Sequence, residues 1–265
     1  MRSIAVTNQK GGVAKTTTTV NLGACLAQKG KKVLLVDLDP QGNMSSWFGL
    51  DIHNLTRSMY NVFLEEIYFE EVLVKTSIEN LTLAPSNIAL AGVERIFANE
   101  KGRDLILRKR LHPVADKYDY IMLDCPPSLG LITVNALTFV KEVFIPLETK
   151  VLALNGLVTL INTVQVVKER LNHSLEVTGI IACRFDSRTN LSNEVYNQIK
   201  ERFKEKVFNS IIRENTRLAE CPISGTPITQ YAPDSPGAVD YTNLAKEVVE
   251  RENLLKKAEN KLSGY

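Results

Sequence analysis

Eight residues near the N-terminus, Lys10 to Thr17, have the composition of a loop that binds phosphate: Lys-Gly-Gly-Val-Ala-Lys-Thr-Thr. An apolar run at 4–6 precedes them and a helical pattern at 20–27 follows, which is the strand, loop and helix context that such a loop needs. Glycines let backbone N–H groups close around an anion, and the next helix begins with partial positive charge. Lys15 would add a cation against the outer phosphates, and the Thr16 hydroxyl would ligate Mg²⁺. The alternative is a plain glycine-rich turn.

The loop departs from the ordinary pattern G-x-x-x-x-G-K-[ST], because Gln9 and Ala14 stand where that pattern has glycine. A second lysine, Lys10, stands ahead of the two glycines. Ala14 tolerates a negative φ at the start of a helix, whereas a positive φ would bring its Cβ into a clash. Because the neighbouring Lys-Thr-Thr is intact, we predict a negative φ at Ala14.

Two later apolar runs end in acid, 32–37 at Asp37 and 118–124 at Asp124. Ligands of open parallel sheets bind at the carboxyl ends of the strands, where these acids would stand. Asp124 has the place of a Walker B acid that faces Mg²⁺ through water, although strand-ending aspartates also form turns and helix caps. Asp37 would be structural or would lie in the second shell of the metal.

Composition places the chain among ordinary globular proteins. It has 265 residues, 44% hydrophobic and 23% charged, and its 32 basic and 30 acidic side chains leave a net charge of +2. That balance does not demand a nucleic-acid partner. The four cysteines form no C-x-x-C pair, the three histidines lack metal-ligand spacing, and no charged-then-apolar leader precedes the first strand. We therefore expect a reduced, cytoplasmic protein.

Short apolar runs alternate with helical patterns along the chain, which predicts a single α/β domain over 1–265. Together with the phosphate loop, this predicts a P-loop NTPase fold. Its sheet should be mainly parallel and twisted, with helices on both faces. Strands are predicted at 81–85, 142–147 and 177–183, and near 207–212, whereas 213–237 should be mostly loop. A last helix should start near 239 and run into a charged helix or tail at about 251–265.

The variant K-G-G-x-x-K-T-T resembles the deviant Walker A motif of the ParA/MinD family of ATPases. The similarity continues in 33–43, 118–130, 188–191 and 215–222, and so spans essentially the whole chain. It implies Mg²⁺-ATP binding, a homodimer that forms on ATP, and slow hydrolysis to ADP and phosphate. The resemblance implies that the nucleotide is held by Lys10, Gly11, Gly12, Val13, Ala14, Lys15, Thr16, Thr17 and, at the base, Asn215.

The resemblance also assigns individual roles. Lys10 would reach the nucleotide of the partner subunit, and Lys15 would stabilise the transferred phosphate from its own subunit. Asp39, in the segment D-x-D-P-Q-G-N, would orient or deprotonate the attacking water and lie in the second shell of Mg²⁺. The chain departs from the family at Arg213 and Glu214, where the family has Pro-Arg before the asparagine of the base pocket.

Soj-like proteins of this family imply nonspecific binding of double-stranded DNA by Arg188 and Arg217, a ParB-like protein that stimulates turnover, and a cytoplasmic location on the nucleoid. Two alternatives stay open. A MinD-like membrane ATPase needs an amphipathic tail, but Leu254, Leu255 and Leu262 stand among many charges and only Tyr265 there is aromatic, so we expect no stable membrane association. A small-molecule ligase on the same fold would share the ATP site but leave Lys10 and the late arginines unexplained.

Overall fold

The computed structural model describes residues 1–150 and 153–262, and those residues form one seven-stranded sheet. The spatial order is β3-β4-β2-β5-β1-β6-β7; neighbouring strands run parallel except that β3 is antiparallel to β4. The first strand of the chain therefore lies between β5 and β6. The strands are β1 (Arg2–Val6), β2 (Val33–Asp37), β3 (Val74–Lys75), β4 (Leu81–Ala84), β5 (Tyr120–Asp124), β6 (Glu142–Glu148) and β7 (Glu176–Cys183).

Helices fill the connections between the strands and cover both faces of the sheet. The prediction of a mainly parallel α/β fold is confirmed. The helices are α1 (Lys15–Gln28), α2 (Asn43–Trp47), α3 (Met59–Phe63), α4 (Val93–Ile96), α5 (Ile106–Ala115), α6 (Leu131–Phe139), α7 (Ala153–Arg170), α8 (Asn190–Phe203), α9 (Thr216–Ser224), α10 (Ile228–Tyr231) and α11 (Pro236–Leu262).

Two apolar clusters, one on each face, explain why the strands are apolar at every position. Successive side chains of a strand point to opposite faces. Leu34 and Val36 accordingly join a cluster with α5, α6 and α7, whereas Val33 and Leu35 join a cluster with α1, α9 and α11. All four are fully buried, and burying each contributes about 1.5–3 kcal/mol. The sheet is therefore fixed from both sides, and the loops at its carboxyl edge rest on a rigid base.

Two predictions about the late segments were wrong. Residues 207–212 form no named strand; only isolated parallel bridges join Val207 to Ile180 and Arg213 to Phe185. The segment predicted to be mostly loop contains α9 and α10. Its prolines misled the prediction because they also start helices: Pro227 is the N-cap of α10, and Pro236 is the first residue of α11.

The long helix α11 packs on α1 through apolar side chains that include Tyr241 and Leu244. Nearer its end, the Arg251 guanidinium lies 4.0 Å from the centre of the Phe208 ring. The membrane alternative depends on apolar and aromatic residues of the C-terminal tail. Three of them lie outside the described residues: the side chains of Leu255 and Leu262, and the whole of Tyr265. No helix among the described residues combines the length and apolar composition that crossing a membrane requires.

Candidate nucleotide site

The phosphate loop lies at the carboxyl edge of the sheet, between β1 and α1. Gly12 and Ala14 both have positive φ, 73° and 72°. The prediction of a negative φ at Ala14 was wrong. Ala14 is the N-cap of α1, and its carbonyl accepts the helix hydrogen bond from the Thr18 N–H at 2.9 Å, so the chain must turn into the helix at this residue. The strain of a left-handed alanine is of the order of 1–2 kcal/mol.

Lys15 is nearly buried, and its Nζ donates to the backbone carbonyl of Lys10 at 3.2 Å. Burial lowers the pKa of Lys15, an effect that attraction to Asp124 and Asp39 opposes. An ammonium group removed from water in this way gains from an anionic partner. The Lys10 side chain takes another direction: its Nζ donates to Oε2 of Glu148 at 3.1 Å.

Thr16 and Asp124, both assigned to the metal site from the sequence, lie next to each other. The Thr16 hydroxyl donates to Oδ2 of Asp124 at 2.6 Å, while Oδ1 of Asp124 is buried without a hydrogen-bond partner among the described residues. Burial, and then repulsion by Asp37, raise the pKa of Asp124 well above its ordinary value. A buried carboxylate oxygen without a partner is costly, so this arrangement fits a hard cation held by oxygen ligands.

The two aspartates after β2 differ in their surroundings. Asp37 is fully buried, and its Oδ2 accepts from the N–H and the hydroxyl of Ser45 at 2.9 and 2.7 Å. Burial nevertheless raises the pKa of Asp37 to about 6. Asp39 is half-buried, accepts the Gln41 N–H at 2.9 Å, and lines the same cleft as Lys15. Asp37 thus holds the loop together, whereas Asp39 lines the cleft.

A cleft of about 1010 Å³ runs from the phosphate loop to the N-terminus of α9. Asn215 lines it as the N-cap of α9, where its Oδ1 accepts the Arg217 N–H at 2.9 Å. Its Nδ2 is buried and finds no acceptor within the described part of the chain. An amide nitrogen is a hydrogen-bond donor, and the contact of this one with a base stays a prediction.

The two residues that depart from the family pattern are tied to other parts of the protein. Arg213 forms a bidentate pair with Asp240, with Nη2 2.7 Å from Oδ1. Glu214 accepts from Arg184 at 3.0 Å. Arg184 follows β7 directly and has a positive φ of 50°. The Arg213–Asp240 pair joins the segment before α9 to α11, and the Arg184–Glu214 pair joins it to the end of β7.

The two arginines predicted to bind DNA stand on neighbouring segments. Backbone hydrogen bonds join Phe185 to residues 212 and 214, so the loop that carries Arg188 runs beside the segment that leads to Arg217. Both side chains are exposed, by 87% and 58%. Each arginine also forms an ion pair with a nearby carboxylate: Arg188 with Asp186 at 2.9 Å, and Arg217 with Glu220 at 3.0 Å.

Sequence reasoning missed several residues that shape this region. Ser45 fixes Asp37, Glu148 receives Lys10, and Arg184 and Trp47 line the cleft. None belongs to a recognised motif: Ser45 meets Asp37 across the turn between β2 and α2, whereas Glu148 meets Lys10 only through the packing of strands distant in the chain. The acid that follows the predicted strand 142–147, Glu148, was a signal that could have found one of them, since β6 borders β1.

Comparison with known proteins decides the family. Residues 1–177 match a family described as "AAA domain". The chain is 46% identical over 245 residues to the sporulation initiation inhibitor protein Soj of Bacillus subtilis, covering 92% of this chain and 97% of Soj. It is 43% identical over 251 residues to the chromosome partitioning protein ParA of Myxococcus xanthus, covering 95% and 89%. The chain belongs to the ParA/Soj family.

This membership confirms the resemblance based on the deviant Walker A motif. A solved relative of the ParA/Soj chain is the cobyrinic acid a,c-diamide synthase of Mycobacterium smegmatis with bound ATP analog and magnesium. The two are 35% identical with a TM-score of 0.84, and the match covers 96% of each chain. The fold thus accommodates a magnesium nucleotide in a relative of similar length. The roles of single residues stay predictions.

Proposed function

We propose that this protein is a partitioning ATPase that binds Mg²⁺-ATP, dimerises on it, binds DNA nonspecifically as the dimer, and hydrolyses ATP to separate again. The observation that carries the proposal is the Thr16–Asp124 pair at 2.6 Å, with its buried free oxygen, beside the desolvated ammonium of Lys15. Sequence identities of 46% to Soj and 43% to a chromosome partitioning ParA support the same function.

In this proposal Thr16 would ligate Mg²⁺ directly and Asp124 would hold it through water, with Asp39 farther out. The ion, when bound, neutralises charge on the phosphate oxygens. Lys15 and the N–H groups at the start of α1 bind the outer phosphates. Asn215 donates its amide hydrogen to the base at the other end of the cleft. These residues position the nucleotide along the cleft.

Hydrolysis requires a water in line with the outer phosphate, and Asp39 is the carboxylate at the cleft that we assign to orient it. Lys10 would supply a second cation to the nucleotide of the partner subunit, as the family resemblance implies. A cation placed where charge develops stabilises the transition state. Because that cation arrives only with a partner, turnover is linked to dimerisation.

DNA would be bound by Arg188 and Arg217 on each subunit. Phosphate contacts need positive charge but no base reading, so a few arginines brought together by dimerisation are enough. Such binding weakens with salt, because each neutralised phosphate releases counterions. A ParB-like protein would accelerate hydrolysis and release the dimer, which places the protein in the cytoplasm on the nucleoid.

The test is a pull-down with DNA beads and with anionic liposomes, each with ATP, ADP or no nucleotide. Retention on the DNA beads is expected with ATP but not with ADP or without nucleotide. It should be lost in the Arg188→Glu and Arg217→Glu variants, which should still dimerise. Asp39→Ala should bind ATP, stay on DNA and release no phosphate. Retention on liposomes instead of DNA would favour the membrane alternative. Continued ATP hydrolysis by Asp39→Ala would show that Asp39 does not orient the attacking water.

The similarity to a diamide synthase supports a second candidate function, that of an ATP-dependent ligase. A ligase turns over ATP only when its acceptor substrate is present, whereas a partitioning switch hydrolyses ATP with DNA and protein alone. Phosphate release should therefore be measured in purified buffer with DNA, before any small carboxylic acid is added. Turnover that depends on such an acid would replace the proposed function by the ligase.

A further inference from the structure

A single buried carboxylate, Glu148, receives cations from three directions. It ends β6, is 5% exposed, and its Oε2 lies 3.1 Å from Nζ of Lys10 and 3.0 Å from Nζ of Lys150. Its Oε1 lies 3.0 Å from Nη1 of Arg184. Arg184 in turn reaches Glu214 at 3.0 Å. A continuous line of ion pairs therefore runs from the phosphate loop to the segment that carries the base contact.

The position of Lys10 in this line is fixed by its backbone. The Lys10 N–H donates to Oδ1 of Asn8, and its carbonyl accepts from Lys15. Asn8 is itself held by the carbonyl of Pro146 in β6. The side chain of Lys10 is thus directed along its own subunit, toward Glu148, although 57% of it remains exposed.

The other two cations decide how easily Lys10 can leave. A buried carboxylate that lost its only partner would be strongly destabilised. Burial alone would raise the pKa of Glu148, but hydrogen bonds from Lys150 and Lys10 lower it below its ordinary value. With Lys150 and Arg184 still in place, Glu148 stays compensated when Lys10 swings away. The arrangement therefore holds Lys10 without locking it.

We propose that Glu148 is a positioning residue that retains Lys10 within its own subunit until a nucleotide-loaded partner competes for it, while Lys150 and Arg184 keep the vacated carboxylate paired. This inference rests on the proposed function, in which Lys10 acts on the partner's nucleotide. Each dimer formed must break two Lys10–Glu148 pairs. Glu148 therefore sets the protein concentration at which ATP drives dimerisation.

The magnitude follows from the exposure of the lysine. A partly exposed ion pair is worth roughly a two- to fivefold change in an equilibrium, so two pairs give about 4- to 25-fold. Glu148→Gln should lower the dimer dissociation constant by that factor. Lys150→Gln should raise it several-fold, because Lys10 then becomes one of only two cations on the buried carboxylate. Lys150 is 64% exposed, so its replacement leaves the fold intact.

The experiment measures dimerisation by sedimentation equilibrium with a non-hydrolysable ATP analogue, and the affinity of monomers for a fluorescent ATP analogue in parallel. Glu148→Gln should dimerise at lower concentration with unchanged nucleotide affinity. Glu252→Gln is the matched control: it removes another buried, lysine-paired carboxylate, at the opposite end of β5, and should change nothing.

Three results would overturn the inference. Unchanged or weaker dimerisation of Glu148→Gln, with the wild type dimerising normally, would refute it and leave the proposed function standing. If Glu148→Gln does not fold, Lys150→Gln replaces it in the test. A Lys150→Gln protein that dimerises as well as the wild type would likewise refute the inference and leave the proposed function standing. A wild type that stays monomeric with the analogue removes the proposed function and this inference together.

Discussion

The left-handed alanine in the phosphate loop gives a sharp test of the site's geometry. At φ 72°, Ala14 has a backbone conformation that costs an L-residue roughly 1–2 kcal/mol and costs glycine nothing. Ala14→Gly should therefore relieve strain, against two smaller losses. Glycine destabilises the fold by about 0.4–1 kcal/mol through the entropy of the unfolded chain. The partly buried methyl group, which packs on the α1 cluster, contributes up to about 0.8 kcal/mol.

These contributions nearly cancel, so Ala14→Gly should change the free energy of unfolding by less than about 0.5 kcal/mol. The same substitution at Ala24, fully buried inside α1, should cost about 2 kcal/mol, because helix propensity and the buried methyl group are both lost. The reverse change, Gly12→Ala, should cost about 0.5–1 kcal/mol, because the strain of about 1–2 kcal/mol from the positive φ is partly offset by about 0.4–1 kcal/mol of unfolded-chain entropy. No atom lies within 4 Å of the added Cβ, so packing adds no further cost.

Urea unfolding without nucleotide, followed by circular dichroism, measures all three variants against the wild type. In thermal unfolding, Ala14→Gly and Ala24→Gly should differ in Tm by about 4–8 °C, because they differ by about 2 kcal/mol and 1 kcal/mol corresponds to roughly 2–4 °C in a protein of this size. A loss of 1 kcal/mol or more in Ala14→Gly would refute the reasoning. It would mean that Ala14 has negative φ in solution, as the sequence suggested.

Three further substitutions test separate parts of the site. Lys15→Ala should abolish binding of a fluorescent ATP analogue, and retained affinity would remove Lys15 from the phosphate site. Lys10→Ala should bind the analogue as a monomer yet fail to dimerise in sedimentation, unless its role lies within one subunit. Ser45→Ala should lower the free energy of unfolding by about 2 kcal/mol in urea, because Asp37 and the Ser86 N–H both lose a buried partner; a neutral result would contradict that network.

The fold and the phosphate loop were predictable because their signals are local. A phosphate loop is a contiguous run of residues whose spacing fixes its shape, and strands buried on both faces are apolar at every position. The meeting of Thr16 with Asp124 also followed, because β1 and β5 end at the same edge. The prediction of a loop in the late segment was wrong for a local reason too, because proline in a sequence marks helix starts as well as loops.

The sequence by itself determined the alternation of strands and helices, the phosphate loop and the two acid-ended strands, because each depends on residues adjacent in the chain. Tertiary structure alone decided the backbone angle of Ala14, the partner of Lys10 and the arrangement around Glu148. The contacts of Lys10 and Glu148 join residues that follow β1 and β7 to the end of β6, and Lys10 and Arg184 are 174 positions apart (184 − 10). Only the packing of the sheet determines which charges meet over such a separation.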